Sequence, residues 1–286
     1  MTLSESADTP PDSFGPVEVR VGAMLLNIAD PEPGWGREYN RWYEDDHFFH
    51  GAMMAPWVFA GRRWVAPATL RGLQYSRTGG VFDPPGSGRY AGTYWIAPDH
   101  LNDYLAWSGV VGPQMAREGR SFSRRQLVFT TFAEHRASVY RDERVPQDVF
   151  ALMDPPGGLV VQLIDVPQAE DRDDTIEWLS SEYLPSRLAM TEGSARLAMV
   201  FQGAAETPTM RPALRDLQES ANNGGRRIVL LWFLDDHPTV GWGTQFAAQA
   251  ALLDASGRAV LEWMTAFIPS HMGTDDYLGE LDPSNP

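Results

Sequence analysis

Apolar positions along the 286-residue chain fall into blocks with two different spacings. Val17 to Ile28 alternates at first and is then continuously apolar, which predicts a strand buried on at least one face. Val58 to Ala66, Arg89 to Ile96 and Gln126 to Glu134 read as further strands. Gly36 to His50 and His100 to Glu118 read as helices, the first stopping before Pro56. On that first helix Tyr39, Trp42, Tyr43 and Asp46 or His47 recur at spacings of three and four, so one face is aromatic and the other charged. The order is βαββαβ. A polar loop from Pro67 to Gly88, carrying the turn signal DPPGSG, is long for a connection and suits the flank of a binding mouth.

The same order then returns, with strands at Gly158 to Val166, Ala195 to Gln202, Arg226 to Leu234 and Val260 to Ile268, and helices at Asp173 to Met190 and Gly243 to Asp254. A shift of 136 positions aligns Pro31 with Pro167, Trp42 with Trp178, Asp46 with Glu182 and Met54 with Met190. A shift of 137 aligns Trp95, Asp99 and His100 with Trp232, Asp236 and His237. Such agreement in separate elements predicts a duplicated unit. The expected organisation is a disordered leader over 1–16, a first repeat over 17–140 holding the functional pocket, a linker over 141–156, a second repeat over 157–271 and a C-terminal extension over 272–286.

A βαββαβ unit is the ferredoxin-like arrangement: an antiparallel four-stranded sheet with helices on one face and a second face needing a partner. The stretch Glu38 to Arg63, EYNRWYEDDHFFHGAMMAPWVFAGRR, resembles the dimeric α+β barrel superfamily and, within it, the EthD-like branch, in its aromatic pair, acid, histidine, proline loop and arginine-bearing strand. The resemblance implies an α+β fold in which two four-stranded antiparallel sheets pack face to face, one chain doing what two subunits do elsewhere. The second copy, WLSSEYLPSRLAM, has Tyr183 where the histidine should stand, which leaves the functional pocket to the first half. The superfamily includes isomerases, polyketide cyclases, cofactor-free monooxygenases and haem enzymes. The resemblance therefore implies a small-molecule pocket more firmly than any one reaction.

Composition narrows the chemistry. Acidic residues exceed arginines by 38 to 23, and a charge of −15 opposes nucleic acid and anionic membrane surfaces. Every basic residue among those 23 is an arginine, so Schiff-base chemistry on lysine is excluded. The absence of cysteine excludes a thiolate nucleophile, a disulfide and cysteine-ligated metal. Without a signal sequence or a long apolar run, the chain reads as soluble and cytoplasmic, and its lysine-free composition as bacterial.

His47 is the candidate acid or base, because an imidazole with a pKa of about 6.5 exchanges protons near neutrality; Asp45 or Asp46 is placed to fix its tautomer. The bland alternative is a histidine stabilised by the helix C-terminus. Glu44, His47 and His50 form an E-x-x-H-x-x-H row that suits a divalent metal or simply a solvated face. Tyr43, His50, Phe59, Trp64, Tyr90 and Tyr94 are candidate walls for an aromatic or hydrophobic ligand, with core packing as the competing role. Asn27, Asn40 and Arg62 or Arg63 are candidate donors to a carbonyl or enolate oxygen. Trp95 with Trp232, Asp99 with Asp236, and His135 with His271 recur in both halves and read as scaffold, Asp99 as a helix cap. The expected function is acid–base chemistry without an organic cofactor on a hydrophobic carbonyl, phenolic or polyketide-like metabolite, in a barrel that can pair as a homodimer. The alternatives are a haem enzyme with a histidine axial ligand and a non-catalytic binding or structural barrel.

Overall fold

The computed structural model describes residues 20–274 apart from 81, 83, 84, 155 and 191. The expected leader and the part of the expected extension beyond 274 lie outside the described residues. The first half runs β1 (Ala23–Pro31), α1 (Gly36–Trp42), β2 (Val58–Val65), α2 (Ala68–Arg71), a two-residue β3 (Tyr75–Ser76), β4 (Tyr90–Ile96), α3 (Leu101–Arg117) and β5 (Arg125–Tyr140). After α4 (Asp148–Met153), the second half runs β6 (Gly158–Asp165), α5 (Arg172–Trp178), α6 (Leu184–Leu188), β7 (Ala195–Gly203), α7 (Pro212–Asn222), β8 (Arg227–Leu234), α8 (Trp242–Gln245), α9 (Gln249–Ser256) and β9 (Val260–Pro269). No helix among the described residues is long and apolar enough to cross a membrane.

All pairings are antiparallel. The strands lie in the order β2-β4-β1-β5 in the first half and β7-β8-β6-β9 in the second. Two seams close them into an eight-stranded barrel. At one, Trp64 and Val65 of β2 face Pro269 and Ile268 of β9. At the other, β5 runs past its pairing with β1 and continues from Ala133 to Tyr140 alongside β7, which explains why it outruns the expected strand 126–134. Closure leaves no open edge on the eight strands.

Alternation along each strand separates three apolar layers. Trp64, Trp95, Phe201, Phe233, Trp263 and Phe267, each 2% exposed or less, fill the barrel interior. Burying rings of this size removes ~150–250 Å² each from water and anchors the fold. The outer face of the first half carries Leu25, Tyr90, Tyr94 and Phe132 beneath α1 and α3, and that of the second carries Val160, Leu230 and Trp232 beneath α5, α6 and α9.

Several expectations are corrected. The segment expected as a linker, 141–156, carries α4, whose Val149, Ala151 and Leu152 enter the interior layer. The loop 67–88 does not flank a first-half mouth. Its β3 pairs with β9, and Phe82 stacks on Trp263 at 4.1 Å between ring centroids, so the loop crosses to the other half. The corresponding connection in the second half forms α7, which crosses onto β5: Gln218 accepts the Phe132 N–H at 2.7 Å and donates to the Phe132 carbonyl at 2.9 Å. Trp95 and Trp232 are not structural counterparts. Leu25 faces Tyr94 and Val160 faces Trp232, so Trp232 corresponds to Tyr94 and lies outside the barrel, whereas Trp95 lies inside. Nor does Asp99 cap α3. It adopts a positive φ of 65°, and the cap position is His100, which stacks on Trp57 at 3.7 Å and bonds Asp103 at 2.7 Å.

Candidate active site

Beyond Trp42 the helix does not continue as a regular α-helix to His50. It widens into two π-helical turns, Tyr43–His47 and Phe49–Met53. A π turn carries an extra residue and so rotates the next side chains away from their α-helical register. Tyr43 and Phe48 are thereby buried against the sheet, while the His47 imidazole lies flat on Trp42 at 4.2 Å and meets Tyr43 edge-on at 5.2 Å. Two glycines make this packing possible. A Cβ on Gly51 would stand 2.5 Å from His47 Nδ1, and one on Gly92 would stand 2.7 Å from the Tyr43 hydroxyl.

His47 opens on a cavity of about 170 Å³ between the outer face of the first-half sheet and its helices. The floor is Leu25, Asn27 and Ala29 of β1 with Leu127, Thr130 and Phe132 of β5; Tyr104, Trp107, Val111 and Met115 of α3 form an apolar wall. Arg125 stands at the start of β5. Arg211 and Leu214 arrive with α7 from the second half. Behind the floor Asn27 donates to the Tyr43 hydroxyl at 3.4 Å, and that hydroxyl bonds the Tyr94 hydroxyl at 2.7 Å.

The electrostatics are one-sided, because no carboxylate among the described residues lines the cavity. Burial is the first cause that pushes the His47 pKa down to about 3, followed by the Arg125 charge; Asp46 opposes them, and Arg63 and Arg120 add to the lowering. The imidazole is therefore neutral at physiological pH. Its Nδ1 is fully covered and without a hydrogen-bond partner, and among the described residues Nε2 receives none from the protein either. The Asp45 and Asp46 carboxylates are engaged elsewhere, Asp45 with Arg41 at 2.9 Å and Asp46 with Arg120 and with His50 Nδ1 at 2.9 Å. Neither fixes the His47 tautomer. Burial also raises the pKa of Tyr39, Tyr94 and Tyr104, keeping these hydroxyls protonated.

The residues singled out from the sequence separate into three groups. His47 and Asn27 line the cavity, with Tyr43 and Tyr94 directly behind them. Asn40 and Tyr90 are buried further off around Arg63, which donates to Asn40 at 2.8 Å and lies 5.4 Å from the Tyr90 ring. Trp64 and Phe59 belong to the barrel-interior layer on the opposite side of the sheet; Arg62, 5.9 Å from the Trp64 ring, lies with them. His50 is on the surface. The E-x-x-H-x-x-H row does not converge, since Glu44 pairs with Arg63 and accepts the Gly273 N–H, and no group of metal-binding side chains occurs among the described residues. Sequence reasoning missed Arg125, Thr130, Arg211 and the α3 wall. Pro212 followed by Leu214, Leu217 and Ala221 at helical spacing signals α7, which delivers Arg211.

No protein-family model and no curated protein matches the sequence. Solved structures match it through the chain path. A candidate chlorite dismutase, 13% identical, aligns over 92% of this chain and 100% of its own with a TM-score of 0.51. An anthrone oxidase-like protein, 10% identical, aligns over 89% and 95% with 0.48, and a candidate monooxygenase from Lactobacillus acidophilus, 6% identical, over 87% and 94% with 0.44. The closed antiparallel barrel is thus a fold shared with the first of these structures. At about 170 Å³ the His47 cavity is smaller than the ~300–1,000 Å³ usual for drug-sized ligands.

Proposed function

We propose that this chain is an enzyme that moves a proton on a small hydrophobic carbonyl or phenolic compound without an organic cofactor, with His47 as the base, and that its two halves are copies of one unit, the second having given up its pocket. The single observation that carries the reading is a neutral, half-buried imidazole whose Nδ1 is covered and which, among the described residues, makes no protein hydrogen bond at either ring nitrogen, opening on a cavity. An imidazole in a purely structural role is ordinarily hydrogen-bonded when buried, since leaving a polar group unpartnered costs about 1–3 kcal/mol. Nδ1 is walled off by Gly51, which leaves Nε2 to accept a proton from a bound ligand. The charge that develops on the ligand oxygen would be met by Asn27, whose amide is steadied by Tyr43, and by the positive potential of Arg125.

The test is exchange of the α-protons of 2-indanone in deuterated water, followed by NMR. The native chain accelerates exchange above the protein-free rate, and His47→Gln loses that acceleration. Equal exchange rates for the native chain and H47Q would overturn the assignment. Because the free imidazole is neutral down to about pH 3, kcat/KM shows no acid limb near pH 6.5.

A further inference from the structure

We infer that the ligand of the His47 cavity is an aromatic acid, its carboxylate held between Arg125 of β5 and Arg211 of α7. This rests on the reading of the cavity as the active site and adds what it binds. Arg125 and Arg211 both line the cavity, and among the described residues neither pairs with a carboxylate; Arg125 lies 4.5 Å from the Trp42 ring, and Arg211 Nε is buried without a partner. Two arginines lining a cavity with no carboxylate among its described lining residues are suited to bind a carboxylate by charge-assisted hydrogen bonds.

Three further features point at the same ligand. Thr130, 7% exposed, lines the cavity with its hydroxyl unpartnered, a polar atom prepared for a group the protein does not supply. Arg211 is the N-cap residue of the eleven-residue α7, whose first turn holds no acid and no side-chain cap, so the positive end of that helix adjoins the cavity through Leu214. Gly112 of α3 keeps the place of Arg211 open, since a Cβ there would stand 3.1 Å from its guanidinium. The apolar wall of Trp107, Val111 and Met115 sets the remainder of the ligand as a ring. A cavity of roughly 150 Å³ accepts benzene, so about 170 Å³ accepts one ring with a carboxyl group. The ligand site is completed only because the second half crosses over to deliver Arg211.

Benzoate and benzamide, alike in shape and different in charge, test the proposal by titration of the full chain, followed through tryptophan fluorescence. Benzoate binds saturably and at least ~10-fold more tightly than benzamide, a factor of 1.4 kcal/mol or more. Arg125→Gln and Arg211→Gln each weaken benzoate ~10-fold and leave benzamide unchanged, while Arg211→Lys keeps benzoate within a few-fold. Equal binding of the two probes, no saturable benzoate response, or benzoate affinity unaltered in both glutamine variants overturns the proposal. His47→Gln separates this inference from the one beneath it. Retained benzoate binding with undiminished proton exchange in H47Q would sink the catalytic assignment and leave the anion site standing, whereas lost exchange with equal binding of benzoate and benzamide would do the reverse.

Discussion

The two outer faces of the barrel are built alike and finished differently. After Trp42 and after Trp178 the helix opens into a π turn of five residues, Tyr43–His47 and Leu179–Tyr183, so His47 and Tyr183 occupy matching places. Beneath them Asn27 faces Thr130 across β1 and β5, as Gln162 faces Met264 across β6 and β9. In the second half these positions close on one another. Gln249 of α9 accepts from Gln162 at 2.8 Å and from the Tyr183 hydroxyl at 3.1 Å, Gln162 accepts from Trp232 at 2.8 Å, and Gln162 also reaches Met264 Sδ at 3.1 Å. In the first half the imidazole and Thr130 keep unpartnered atoms and a cavity remains. At these positions the second half satisfies its polar groups internally; the first leaves them for a ligand.

The largest expected effect lies at the position where this difference begins. Gly51 of the first half corresponds to Arg187 of the second, whose guanidinium is spent on the carbonyls of Thr244 and Gln245. Gly51→Ala drives a methyl into His47 Nδ1 and shifts the ring off Trp42. A misplacement of about 1 Å costs roughly 10²-fold in rate, so exchange activity falls by about that factor. Arg187→Ala lowers stability and leaves the rate alone. Equal rates in G51A and the native chain would show that the imidazole's position does not govern catalysis.

Next comes Gln249→Ala, which strips the second-half network of its centre. Gln249 is fully buried, and its loss leaves the Tyr183 hydroxyl without an acceptor and opens a void. The cost is about 3 kcal/mol, read by urea unfolding, with activity at the first-half site retained. A variant as stable as the native chain would show that the second half is not held by this network.

A smaller effect separates the halves by pH. The His47 pKa is lowered in the folded chain, so between about pH 6.5 and 3 the unfolded chain binds the proton that the folded chain refuses. Stability from this group is complete above pH 6.5 and falls as pH drops through that window. At pH 4.5 the deficit is about 2.7 kcal/mol. His47→Gln removes it, giving a flatter stability–pH curve, whereas Tyr183→Phe leaves the curve unchanged; a native curve that is already flat there breaks the contrast.

The features legible in the sequence are those whose signals are local. Period-two strands and the aromatic α1 stripe placed the sheet layers, and the tyrosine at 183 in place of a histidine marked the halves as unequal. Offsets between the halves were less secure. Ladder irregularities between Val58 and Ala60, Ile28 and Ala29, and Leu163 and Ile164 change the register by a residue, and a one-residue slip turns a side chain to the opposite face. Trp95 and Trp232 match in sequence yet face opposite sides of the sheet, because the regular β1–β4 and β6–β8 ladders set Tyr94 opposite Leu25 and Trp232 opposite Val160. Arg125 and Arg211 were not legible. They belong to different halves and line one cavity only because α7 crosses the seam, a long-range docking that no spacing within either half records.

Thr130→Val makes the smallest change and separates the two designs by sign. The Thr130 hydroxyl is buried and unpartnered, so an apolar group of the same shape relieves a cost of about 1 kcal/mol. The variant is therefore as stable as the native chain or slightly more so, while its benzoate affinity falls. Gln162→Leu, at the matching floor of the second half, removes donors and an acceptor that are all engaged, and it destabilises the fold without touching ligand affinity. If T130V is destabilised as much as Q162L, the Thr130 hydroxyl serves the fold as Gln162 does, and the division into a satisfied half and a waiting half no longer holds at this position.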